Sequence, residues 1–163
     1  MPYLSHFTNV TTLAFANLAT GVFHAVSLVN CFKPFITTVR TLRLCRPITR
    51  PTSLVQIILL FSAAVDVQIA FPQWSLVDEN VTLHPPLQGE IEFTGVLYLR
   101  GFGEKWPEFF TLLSARRLGS QNLRLIGCEF NDPTPTQALL EAVSQSASTL
   151  YLVGFGKRRS GLK

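Results

Sequence analysis

The first 32 residues hold no lysine, arginine, aspartate or glutamate, and no acid appears before Asp66. An uncharged start invites a secretory-leader reading. The cationic region of a leader is missing, however, and Thr8, Asn9, Thr11, Thr12 and Asn17 interrupt the apolar residues, so export is not expected. Cysteine is scarce too. Cys31, Cys45 and Cys128 are an odd number without a Cys-x-x-Cys pair, which argues against a disulfide scaffold and a structural zinc site and favours a reducing compartment, cytoplasmic or nuclear. The sequons at Asn9 and Asn80 would count only in a secreted chain. The longest apolar stretch, Leu54 to Phe71, is broken by Gln56, Asp66 and Gln68 and falls short of the roughly 20 residues that a membrane span needs.

Signs of chemistry are missing as well. His6, His24 and His84 are scattered without metal-like spacing. Gly101-Phe-Gly103 lacks the third glycine of a dinucleotide fingerprint, since Trp106 stands there, and no Gly-x-Ser-x-Gly or Gly-Lys-Ser occurs. Glu90 and Glu92 would share a face of an extended segment, as a solvated edge rather than a catalytic pair. Neither an enzyme nor a cofactor or metal is expected.

What the chain does have is an echo. Leu97-Tyr-Leu-Arg-Gly-Phe-Gly103 recurs as Leu150-Tyr-Leu-Val-Gly-Phe-Gly156, and Asn122-Leu-Arg-Leu-Ile-Gly127 lies halfway between. Three fainter copies precede them, so the cores are Leu13-x-Phe15, Leu42-x-Leu44, Val67-x-Ile69, Leu97-x-Leu99, Leu123-x-Leu125 and Leu150-x-Leu152. A recurrence of roughly 20–29 residues, strand plus helix, is the leucine-rich-repeat range. The fold expected is α/β, a short leucine-rich-repeat horseshoe of six units over residues 1–156, with the parallel sheet concave and the helices convex. Strands are expected near 10–16, 39–45, 65–70, 95–100, 121–126 and 148–153. Helices are expected over Val22 to Phe32, Ser53 to Phe61, Pro107 to Ala115 and beyond Asn131-Asp-Pro-Thr-Pro135, with a basic flexible tail over 157–163. The long connection Pro72 to Phe93 would project from one face.

Strand parity distinguishes this from a doubly wound sheet. Strands covered on both sides read as continuous apolar runs, whereas the residues between the core positions are Ala14, Arg43, Gln68, Tyr98, Arg124 and Tyr151. One face therefore meets water or a partner, and the candidate binding residues are Arg43, Gln68, Tyr98, Arg100, Arg124 and Tyr151. Charge is segregated along the chain: the first 65 residues carry +5, Asp66 to Gly156 carry −5, and the tail carries +4. Arg40, Arg43, Arg46 and Arg50 could line a basic helix, but Thr37, Thr38, Val39 and Thr41 favour a strand and Pro47 would break a helix.

Thr37-Thr-Val-Arg-Thr-Leu-Arg-Leu44, Leu112-Leu-Ser-Ala-Arg-Arg-Leu-Gly119, Leu125-Ile-Gly-Cys-Glu-Phe130 and Ala138-Leu-Leu-Glu-Ala-Val-Ser-Gln145 resemble the leucine-rich-repeat region of the F-box-type proteins of mushroom-forming fungi, over about Phe7 to Gly154. In that family an F-box docks on the Skp1-type adaptor of a ubiquitin ligase while the repeats select a target protein. This chain starts almost at its first repeat strand, so the resemblance implies target recognition rather than adaptor docking. The family's Asn or Cys, three residues past the second core leucine, is met only by Cys128, the others being Leu18, Pro47, Pro72, Phe102 and Phe155, and irregular turns are expected. The function expected is a non-catalytic protein-binding module, and the resemblance implies a truncated relative of an F-box-type substrate receptor. The alternative is a nucleic-acid or membrane-surface binder using Arg40 to Arg50 and Lys157 to Arg159.

Overall fold

The computed structural model describes residues 9–19, 32–61, 63–74, 91–102, 106–115, 118–130, 132–154 and 156–157. Six strands, β1 (Thr12–Ala16), β2 (Thr41–Cys45), β4 (Asp66–Ala70), β6 (Ile91–Arg100), β7 (Leu118–Ile126) and β9 (Thr149–Val153), form one parallel sheet in that order. Pairs of two-residue strands make two small parallel sheets, β3 (Ile48–Thr49) with β5 (Gln73–Trp74) and β8 (Glu129–Phe130) with β10 (Gly156–Lys157). Three helices are described, α1 (Pro51–Leu60), α2 (Trp106–Ser114) and α3 (Thr134–Val143).

Each of these helices carries proline at its first or second position, where the missing N–H costs nothing because the first turn's donors have no partner inside the helix. Before Pro51 the residue Arg50 is pushed to extended geometry (φ −93°, ψ 154°), and this turns the chain from β3 into α1. The boundaries sit within three residues of those read from the sequence for helices. Strands β6 and β7 begin earlier than expected, at Ile91 and Leu118, because they pair with each other through Ile91–Leu118, Glu92–Gly119 and Phe93–Ser120. Conversely β2 starts only at Thr41. The Val39 N–H bonds to the Phe35 carbonyl (3.0 Å) in a turn that buries Phe35 and Val39. The helix expected over Val22 to Phe32, most of the Pro72 to Phe93 connection, and the tail beyond Lys157 lie outside the described residues.

Pairing is in register across the whole sheet, with Leu13, Leu42, Val67, Leu97, Leu123 and Leu150 in one row and Phe15, Leu44, Ile69, Leu99, Leu125 and Leu152 in the next. From β2 to β7 all eight of these side chains are buried, against Leu54, Val55 and Ile58 of α1, Phe109, Phe110 and Leu113 of α2, and Leu139 and Val143 of α3. The core and these helices thus lie on one face of the sheet. At roughly 1.5–3 kcal/mol for each fully buried large aliphatic or aromatic side chain, this face is the main source of stability. Phenylalanines fill its middle, Phe102 stacking on Phe109 at 5.4 Å between ring centroids and meeting Phe110 at 5.9 Å. At the β9 edge the same rows come to the surface, Leu150 being 51% and Leu152 42% exposed.

The turns correct the expectation of irregularity. Each of the six strands of the main sheet is followed by a residue in the left-handed region, namely Asn17, Arg46, Phe71, Gly101, Gly127 and Gly154, with φ between 50° and 65°. Their N–H groups continue the sheet's ladder, Asn17 to the Cys45 carbonyl, Arg46 to Ala70, Phe71 to Arg100, Gly101 to Ile126 and Gly127 to Val153, all at 2.7–2.9 Å. The next residue then points inward: Pro47, Pro72, Phe102 and Cys128 are buried. Two of these are prolines with no N–H to satisfy, which is why the turn does without a ladder of asparagines. Cys128 does make polar contacts, 3.7 Å from its Sγ to the Leu99 and Ile126 carbonyls, and burial raises its pKa so that it stays a thiol.

Gly101 is held under the Phe71 ring, which a Cβ would strike, whereas a Cβ on Gly127 would meet nothing within 4 Å. Gly127→Ala is therefore expected to lose about 1–2 kcal/mol, the left-handed cost alone, and Gly101→Ala to lose a further ~1–3 kcal/mol for overpacking. Arg46→Gly, which relieves an exposed left-handed side chain, should gain about 0.5–1 kcal/mol after glycine's larger chain entropy is subtracted. Urea denaturation midpoints of the three variants check this ranking.

Candidate functional site

The face of the sheet opposite the helices carries three rows. The middle row is Ala14, Arg43, Gln68, Tyr98, Arg124 and Tyr151, adjacent residues being register partners on neighbouring strands. Arg43, Arg124 and Tyr151 are exposed, and Gln68 and Tyr98 are half-buried. All five polar or aromatic members of this row belong to the candidate set, and the sixth candidate, Arg100, lies two residues along β6 from Tyr98. Arg100 stands in the row of Ala16, Cys45, Ala70, Ile126 and Val153, small and aliphatic residues among which it is the one cation. Its guanidinium carbon lies 5.0 Å from the centre of the Phe71 ring, a cation–π contact that fixes the head group at the turn end of the face.

Reading parity alone singled out the middle row and Arg100. The same parity also puts Cys45, Ala70, Ile126 and Val153 outward, so the alternation carries this second row as well. Phe71, 44% exposed, could not be found that way, because it sits past the strand in a left-handed turn that alternation does not describe.

A bulge precedes Tyr98 in β6. The register of β6 against β7 shifts between Phe93 and Val96, and Gly95 sits at the shift with its N–H on the Val65 carbonyl (3.2 Å). A side chain there would collide with Asp66 and Val65, so glycine is required by space. The Asp66 carboxylate accepts the Val96 N–H at 2.7 Å, and the Asn122 amide donates to the Gly95 carbonyl at 3.5 Å. Both polar groups freed by the bulge are thus taken by side chains of the flanking strands.

The four arginines of the Arg40 to Arg50 stretch do not share a surface. Arg43 is on the sheet face, Arg46 in the left-handed turn and Arg50 before α1, while the Arg40 guanidinium donates to the Ala63 carbonyl at 3.2 Å. Strand pairing over Thr41–Cys45 is what separates them. Glu92 lies in β6 beside Gly119, and Glu90 and the three histidines lie outside the described residues. Among the described residues, no group of three or more metal-ligating side chains converges, and no helix is long and apolar enough to cross a membrane. No family model matches the chain, and neither does any curated protein or solved structure.

Removing the Asp66 carboxylate strands the Val96 amide at the bulge. Asp66→Ala is expected to cost about 1–3 kcal/mol, the penalty for an unpaired, partly buried donor, and Asp66→Asn, which keeps an acceptor, clearly less. Thermal unfolding followed by far-UV circular dichroism measures both.

Proposed function

We propose that this chain is a leucine-rich-repeat solenoid that acts as a non-catalytic protein-binding module, with the open sheet face as its contact surface. The observation that carries the reading is the middle row: two tyrosines, two arginines and a glutamine are aligned strand by strand on a face that no described helix covers. Tyrosine and arginine dominate binding hot spots, because each combines a large contact area with directional hydrogen bonding. Six repeats of strand and left-handed turn, four of them followed by a buried residue, support the solenoid part. The resemblance to the repeats of F-box-type proteins supports a more specific version, in which the face selects the target of a ubiquitin ligase inside the cell.

The test compares affinity capture from a cell extract by the wild-type protein and by the Tyr98→Ala, Tyr151→Ala double variant, read by mass spectrometry. Proteins retained by the first and lost by the second are the expected result, with each single substitution weakening binding by roughly 1–3 kcal/mol and leaving the melting temperature unchanged. Identical captured sets would move the contact off this face, towards the Pro72 to Phe93 connection.

A further inference from the structure

The charge of the open face says more about the partner than its shape does. Among the described side chains it presents the guanidiniums of Arg43, Arg100 and Arg124 and one carboxylate, Asp66, which is engaged by the Val96 N–H. The other acids with described side chains lie elsewhere, Glu108 on α2, Asp132 before α3 and Glu141 on α3, where it accepts a hydrogen bond from Gln137. Among the described side chains, three acids thus stand on the helix side, and the sheet face presents three guanidiniums to one engaged carboxylate. We propose that the face takes an acidic, extended segment of another protein, an inference that rests on the protein-binding reading above and names the chemistry of its partner.

Spacing makes the proposal specific. Arg43 on β2 and Arg124 on β7 are three strands apart in one register row, about 14 Å at 4.8 Å per strand. An extended chain advances about 3.3 Å per residue, so a segment crossing the strands would set carboxylates on both arginines when they stand about four residues apart. Between those two arginines the row offers Gln68 and Tyr98, an amide and a half-buried ring, to side chains in the middle of the segment. Arg100 is one strand and two residues from Arg124, roughly 8 Å away, and can meet a third acid. A guanidinium carries five N–H donors, so the contact of its central carbon with the Phe71 ring at 5.0 Å is compatible with donation to a carboxylate. A nucleic-acid strand is the poorer fit, since tight phosphate-driven binding draws on roughly six to ten contacts and among the described side chains this face offers three cations.

The experiment selects binders from a displayed library of random twelve-residue peptides on the wild-type protein, then measures their affinity by fluorescence anisotropy. The comparison includes Arg43→Ala, Arg124→Ala and Tyr98→Ala, each checked for an unchanged melting temperature, and a twelve-residue oligouridylate. Selected peptides rich in Asp and Glu about four residues apart, weakened about tenfold or more by either arginine variant, support the proposal. Peptides without acidic bias, weakened by Tyr98→Ala and untouched by the arginine variants, would overturn it while leaving the protein-binding face standing. A library that yields no binder dependent on this face would overturn both. Oligouridylate bound more tightly than any peptide, with a steep salt dependence, would replace the acidic segment with nucleic acid.

Discussion

The backbone ladder fixes everything else in this molecule. Each strand ends one residue before a left-handed turn, and the amide of that turn residue bonds to the last carbonyl of the following strand. A slip of one residue at any pairing would break this bond and also turn the leucine pair of the strand to the solvent face. Hydrogen bonding and burial therefore specify the same register, which is the agreement between local and global preference expected of a sequence with one stable fold. The left-handed turn also starts the chain back towards the helix face.

Two consequences reach the open face. Because the register is uniform, a side chain between two core leucines stands beside its counterpart in the next repeat, and residues far apart in sequence become a continuous row. Because the helices and the apolar core occupy the other face, that row is left for solvent or a partner. The bulge at Gly95 is the one described departure from uniformity in the main sheet, and it is stabilised from both sides by Asp66 and Asn122. It allows β6 and β7 to run on past their neighbours without disturbing Tyr98, whose partners remain Gln68 and Arg124.

Much of this was legible in the leucine spacing. The six core pairs, the order and parallel direction of the strands, and the outward position of Arg43, Gln68, Tyr98, Arg124 and Tyr151 all follow from a period near 27 and the two-residue alternation of a strand. The turns were not legible. Glycine announces a left-handed residue at 101, 127 and 154, but asparagine, arginine and phenylalanine hold the same conformation at 17, 46 and 71. There the non-local hydrogen bond overrides a local cost of about 1–2 kcal/mol. The early starts of β6 and β7 were hidden for a related reason, since they depend on mutual pairing and on a glycine whose need is set by the Asp66 side chain of another strand.

Amide hydrogen exchange read residue by residue by NMR tests the ladder most directly. The account predicts strong protection at Asn17, Arg46, Phe71, Gly101 and Gly127, whose amides bond to the next strand, and rapid exchange at Gly154, which has no described strand beyond β9 to receive its N–H. Exchange at those five amides as fast as at Gly154 would contradict it.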